Sequence, residues 1–333
     1  MATYYADFDL ATGDNDGSDA ANAWKTFADV IAGSNGTAPA AGDTVLCKGT
    51  DTLSGTTRTI NISGSAASGY IKLIGVDASW NNVGGSSRAV IDANGGAIVA
   101  LTYNAASFIW LENFRVTNTN KASGKDGIGS AAAYSEYNIF INCVADNCNN
   151  GFAGGGYLRY HRFIRCLAHT NTANGFSSRY AQISFCRAYG NTNHGFHLSD
   201  NVAFASLAHD NGADGFYVYG SSVIQCSSYG NTGDGFELSL AASNTNGFVA
   251  CRAGGNGGAG FNVSAAGLRM PVFYYYGDNT TETAGNYDEI LNDGASTVTL
   301  NGTDTNEGFV DPANDDYNLR SDATFRRVAV SLP

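Results

Sequence analysis

Three carboxylates in this sequence have the spacing of a metal site. Asp234 and Glu237 flank a Gly-Phe step in "GDGFELS", and Asp214 stands twenty residues earlier in "GADGF". Carboxylates on neighbouring segments suit a hard cation such as calcium, which takes oxygen ligands. The same letters have a plainer use. Asp or Asn before Gly is favoured in tight turns, where the side chain bonds nearby backbone and Gly accepts positive φ. The slot of Asp214 and Asp234 holds Asn150, Asn174, His194 and Ala259 elsewhere. One turn mechanism covers the Asn and Asp members together, whereas a cation covers only the two Asp. Carboxylates stacked one repeat apart also repel, which a bound cation or a raised pKa would relieve. Asp214 and Asp234 are therefore assigned to structure, with a calcium site at Asp214, Asp234 and Glu237 as the alternative. No metal or other cofactor is expected under the main reading.

These residues share a slot because the chain repeats. "GF" occurs at Gly151, Gly175, Gly195, Gly215, Gly235 and Gly260, at intervals of 24, 20, 20, 20 and 25 residues. Cys143, Cys166, Cys186, Cys226 and Cys251 keep the same beat, with Ser206 in the missing place. Asn171, Asn191, Asn211, Asn231 and Asn256 form a third column. Segments this short, rich in Phe, Val, Ile and Tyr between Asn and Gly, read as strands and turns. The expected fold is all-β: a single-stranded right-handed parallel β-helix with a short N-terminal capping helix. Strand alternation turns Phe176, Phe196, Phe216 and Phe236 inward, followed by Leu198, Val218 and Leu238. The cysteines read as small buried hydrophobes, and the Asn column as an amide ladder along the axis.

Alternation turns two other columns outward. One is Ser177, His197, Tyr217 and Glu237; the next is Arg179, Ser199, Tyr219 and Ser239. Arg179, His197, Tyr217, Tyr219 and Glu237 together suit stacking on sugar rings and bonding to hydroxyls, so they are the carbohydrate-binding candidates. Strand faces also favour Tyr for shape alone.

The chain of 333 residues has a formal net charge of −12, which disfavours nucleic acid and anionic membranes as partners. No stretch is apolar for long enough to span a bilayer as a helix. "MATYYADFDLATGDND" lacks the basic and apolar regions of an export signal. "SDAANAWKTFADVIAG" reads as the capping helix, with Ser18 or Asp19 as N-cap and Ala21, Trp24, Phe27, Val30 and Ile31 on one face. Residues 1–45 are expected to form the N-terminal cap. Residues 46–265 form the β-helix, most regular over 143–263, and 266–333 a terminal coil, loops and tail.

The opening "YYADFDLATGDNDGSDAANAWKTFADVI", the coils "CRAYGNTNHGF" and "CSSYGNTGDGF", and the closing "FVDPANDDYNL" resemble the pectin-lyase-like superfamily of right-handed parallel β-helices. Two branches are similar. Family 9 pectate lyases carry a D-D-G-x-D signature with further Asp one coil earlier and a Lys as base. That likeness implies a calcium-dependent β-elimination with Asp214, Asp234 and Glu237 on the metal. Here Gly233 replaces the first Asp of the signature and no Lys follows Lys125, so Arg269 or Arg252 would have to serve as base. Arg is a poor base at neutral pH.

The second branch is the β-helical proteins of bacteriophage particles, whose acidic surface and lack of an export signal this chain shares. That likeness implies a virion protein, capsid or tail subunits as partners, and a homotrimer. The expectation taken forward is a non-enzymatic decoration or spike-like particle component that contacts glycans. The alternatives are an extracellular calcium-dependent polysaccharide lyase and a carbohydrate-binding β-helix without turnover.

Overall fold

A computed structural model describes residues 1–263 apart from 84–87, 104, 119, 131–134, 155–157 and 240–247. Beyond these it describes the strands Tyr274–Gly277, Thr281–Gly285, Phe309–Asp311 and Asp316–Leu319. The fold is a single right-handed parallel β-solenoid. Three parallel sheets of ten strands each wrap one core, and a coil gives one strand to each sheet in turn. His161–Ile164, Leu167–His169 and Phe176–Arg179 make one such circuit, and Ala181–Ser184 returns to the first sheet. Phe176, Phe196, Phe216, Phe236 and Phe261 are successive partners in the third sheet.

The inward Phe rings stack down the axis. Centroids lie 4.9, 4.6 and 4.9 Å apart from Phe176 to Phe236, with planes within 11° of parallel. Every one of these rings is fully buried, which stabilises the fold by about 1.5–3 kcal/mol per side chain before entropy is counted. Cys143, Cys166, Cys186, Cys226 and Cys251 fill a second buried column as free thiols. Ser206 fits among them because its Oγ accepts the Cys186 N–H at 3.1 Å and donates to the Phe204 carbonyl at 3.0 Å. The third column is a bonded amide ladder. Asn171 donates to Asn191, Asn191 to Asn211, Asn211 to Asn231 and Asn231 to Asn256, side chain to side chain, at 2.8–2.9 Å.

The bends match the Gly, Asn and Asp turns that composition suggests between the second and third sheets, at Asn147, Gly190, Asp210, Gly230 and Gly255, and depart from them at most other corners. Each coil turns at single residues in the left-handed region. After the third-sheet strand these are Tyr160, Tyr180, Asp200 and Gly220, at φ of 62°, 54°, 56° and 58°. Between the first and second sheets they are Arg165, Phe185, Ala205, Gln225 and Ala250, at φ of 46–57°. Bulky residues there carry strain that no local preference predicts. The strands on either side, paired above and below, hold them in place.

The N-terminal helix is shorter than its sequence pattern suggests, covering Phe27–Ala32. Its N-cap is Thr26 rather than Ser18 or Asp19, because Thr26 and Asp29 form a reciprocal capping box. Asp19 instead accepts the N–H groups of Ala21 and Asn22 in a turn, and Trp24 bridges to Ala6. The first helical N–H, of Phe27, donates to Asp51 at 3.0 Å, and Arg58 pairs with the same carboxylate at 2.7 Å. Phe27, Val30 and Ile31 face the core. Among the described residues no helix is long and apolar enough to cross a membrane.

Candidate metal centre

Asp214 and Asp234 sit just before the Gly-Phe step, where the chain enters the third sheet. The slot forms a ladder of its own. The backbone N–H of Asn174 donates to Asn150, that of His194 to Asn174, that of Asp214 to His194, that of Asp234 to Asp214 and that of Ala259 to Asp234. Each side chain thus caps the next coil. For the two Asp this uses Oδ1, at 2.7 Å to the Asp234 N–H and 2.5 Å to the Ala259 N–H. The second oxygens are left for other partners. Asp214 Oδ2 lies 3.0 Å from His194 Nδ1, and Asp234 Oδ2 accepts the Asn262 amide at 2.7 Å.

Glu237 rises from the Phe236–Leu238 strand, in register with Tyr217 on one side and Asn262 on the other. One oxygen each from Asp214, Asp234 and Glu237 lies within 4.8 Å of the others. Two glycines make that convergence fit. A Cβ at Gly233 would stand 2.3 Å from Asp214 Oδ1, and one at Gly258 would stand 2.2 Å from Asp234 Oδ1. Gly233 departs from the expected Asp for this reason: its missing side chain is the space that the Asp214 carboxylate occupies.

Crowding three carboxylates changes their protonation. Burial, a hydrogen bond to Asp214, and then the charges of Asp214 and Asp234 push the Glu237 carboxyl up to about 7. For Asp214 burial raises the pKa, but hydrogen bonds from His194, the Asp234 N–H and Glu237 outweigh it and leave the group below its usual value. The pair's shared proton is held on Glu237 and is lost as pH rises through about 7. An all-oxygen cluster with this surplus of negative charge can hold a divalent ion of the hard type.

The outward column carries the other sequence-nominated residues. His197, Tyr217 and Glu237 are neighbours on successive rungs. The His197 ring meets Tyr217 edge-on at 5.1 Å, and the His194 ring lies 4.8 Å from Tyr217. Burial, then the charge of His194, lowers the His197 pKa. Arg179 and Tyr219 belong to the neighbouring column and are separated in register by Ser199. The Arg179 guanidinium lies 4.6 Å over the Tyr180 ring and bonds Asp200 at 3.1 Å. Arg269 lies outside the described residues. Arg252 stands on the second sheet, paired in register with Ser227, away from the third-sheet strands that carry the cluster. Residue reasoning missed His194, Gly233, Gly258 and Asn262. His194 does carry a signal, since it occupies the slot one repeat before Asp214.

No protein-family profile matches the chain, and no curated protein matches it. Solved structures do. Pectate lyase Pel9A superposes with a TM-score of 0.64 over 97% of this chain and 90% of its own, at 17% identity. The A-module of mannuronan C-5 epimerase AlgE4 from Azotobacter vinelandii gives 0.53 over 85% and 76%, at 16% identity. The AlgE6 A-module from the same organism gives 0.54 over 83% and 76%, at 18% identity. The chain shares the right-handed parallel β-helix fold of these structures.

These findings correct the reading of a non-enzymatic phage component. The three structures named above are a lyase and two epimerases of polysaccharides, not particle components. The structural role of the two Asp is real, but it is a bond to the next coil's N–H and not the expected local turn, since Gly215 and Gly235 do not have positive φ. It does not prevent one oxygen of each from lying within 4.8 Å of the other carboxylates of the cluster. The virion location and the non-enzyme assignment fall with that reading.

Proposed function

We propose that the protein is a calcium-dependent lyase that cleaves a uronate-containing polysaccharide by β-elimination. The observation that carries this reading is the convergence of Asp214, Asp234 and Glu237 beside two glycines that leave room for their carboxylates. The shared fold with a pectate lyase over nearly the whole chain supports it. When bound, calcium supplies the charge that neutralises a uronate carboxylate and acidifies the adjacent C–H. Asp214, Asp234 and Glu237 hold the ion. The Asp234 and Ala259 N–H groups fix the two Asp carboxylates before any ligand arrives, so their ordering costs little on binding. Tyr217 and His197 extend the same strand face and offer the sugar a ring and polar atoms. A polymeric substrate of this kind also implies action outside the cell.

The test is absorbance near 235 nm, the signature of unsaturated uronides, with polygalacturonate or alginate and calcium. Activity is expected with calcium and absent after chelation. Asp234→Asn keeps an oxygen for the Ala259 N–H, removes the charge, and turns an NH2 toward Asn262, whose amide can flip to accept it. It should leave the fold intact and abolish activity. Full activity in that variant, or no unsaturated product from either polymer, would sink the reading.

A further inference from the structure

We propose that His197 is the catalytic base of this site, taking the proton from the carbon next to the carboxyl of a 4-linked uronate. The inference rests on the lyase reading above. Three observations carry it. First, no Lys follows Lys125, so the half of the chain that holds the carboxylates has no ammonium base. Second, the histidines are not equivalent. His161 bonds the Ser135 carbonyl, His169 meets Thr170 and Asp146, His194 meets Asp214, and His209 is held by Arg187 and Asp210. His197 alone of the five makes no hydrogen bond through either ring nitrogen among the described residues. Its ring is oriented by Tyr217 edge-on and by His194 at 5.9 Å, and its nitrogens stay available. Third, His197 and Glu237 lie on one column, two rungs apart, which is roughly 10 Å at the usual strand spacing. That interval suits one sugar unit lying over Tyr217 with its carboxyl toward the acidic cluster.

Burial, with the charge of His194 second, keeps this imidazole unprotonated at neutral pH, as a base must be. The groups facing it are His194 and Tyr217, with Ser177 on the preceding rung. The step balances without a further reactant. A ring nitrogen of His197 gains the proton as the C5–H bond breaks, and the freed pair becomes the C4=C5 double bond. The C4–O bond to the next sugar breaks, and the leaving oxygen takes a proton from water. The imidazolium then returns its proton to solvent.

The test compares the full chain with His197→Gln in the presence of calcium. The variant should lose about 10²–10⁴-fold in kcat, far more than any change in KM, with calcium affinity by calorimetry and melting temperature unchanged. Added imidazole should restore part of the activity of His197→Ala, which a merely structural role would not allow. A readout independent of turnover is the histidine nitrogen spectrum: a saturated oligouronate should shift the His197 signals and leave those of buried His161 in place. If the wild type is active and His197→Gln keeps kcat within about threefold, or if the His197 signals do not move, His197 is not the base and the lyase reading stands. If the wild type makes no unsaturated product, both readings fall together.

Discussion

At the scale of single residues, the site is a repeat position put to a second use. Asp214 and Asp234 do for the backbone what Asn150 and Asn174 do in earlier coils, and each carries a second oxygen that meets His194 or Asn262. Asn would spend that position on an amide. Gly233 is as necessary as the carboxylates. Gly233→Ala puts a methyl group against Asp214 Oδ1, and calcium affinity measured by calorimetry should fall by about tenfold or more, as for other changes that disturb a metal ligand's support. Protons compete with the ion for Glu237. Because that carboxyl is raised to about 7, calcium binding should weaken as pH falls below 7, by about tenfold per pH unit. Calorimetry in two buffers should detect close to one proton released at pH 6 and almost none at pH 8. Release that does not change with pH would show that Glu237 is not a ligand.

At the scale of elements, the strands of the third sheet are rigid because both their faces are organised. Inside, the Phe stack holds them in register; outside, His197, Tyr217 and Glu237 inherit that register. Phe216→Ala removes a fully buried ring between two stacked neighbours and should destabilise the protein by about 3–5 kcal/mol in urea unfolding. It should also blur the site, since the mutated residue shares a strand with Tyr217 and follows Asp214 by two positions. The Asn ladder works along the axis in the same way. Each amide closes the loop between second and third sheets and links it to the next coil. The capping helix shows how a local signal can outweigh a broad one. The apolar period runs back to Ala21, yet Thr26 and Asp29 set the start, because the capping box satisfies N–H groups that a longer helix would leave to Asp19's turn.

At the scale of the whole molecule, a buried and a half-buried titration pull stability in opposite directions with pH. Burial lowers His161 to about 4, so the unfolded chain binds this proton more readily below its ordinary value of 6.5. Its contribution is full above 6.5 and is lost as pH falls to 4, a change of about 3 kcal/mol. His161→Gln should flatten that limb of the melting profile. Glu237 has the opposite sign. Its raised pKa favours the folded state at low pH, and that contribution is lost as pH rises from 4.5 through about 7. Calcium should therefore stabilise most at pH 8, where the cluster is fully charged. At a hundredfold excess over Kd, linkage amounts to about 2.7 kcal/mol. A melting temperature indifferent to calcium at pH 8 would count against the metal centre.

The architecture was legible in the sequence because a solenoid writes its period into the chain. Phe, Cys and Asn recur every coil, each column must bury or bond with its own copies, and so the parallel register follows from spacing alone. The corners were legible only where Gly, Asn or Asp makes them, as at Gly190, Asp210 and Gly230. Tyr180, Arg165 or Phe185 carries no turn signal, and its left-handed backbone is imposed by the paired strands on either side. The site was half legible. The letters and slots of Asp214, Asp234 and Glu237 could be read, but a slot filled by Asn, Asp and His reads as a turn. Only the folded chain decides where each carboxylate's oxygens go: one to the next coil's N–H, the other to His194 or Asn262, with the three carboxylates brought together across coils beside Gly233 and Gly258. That division depends on distances of a few ångströms between residues twenty positions apart, which spacing implies but only packing sets.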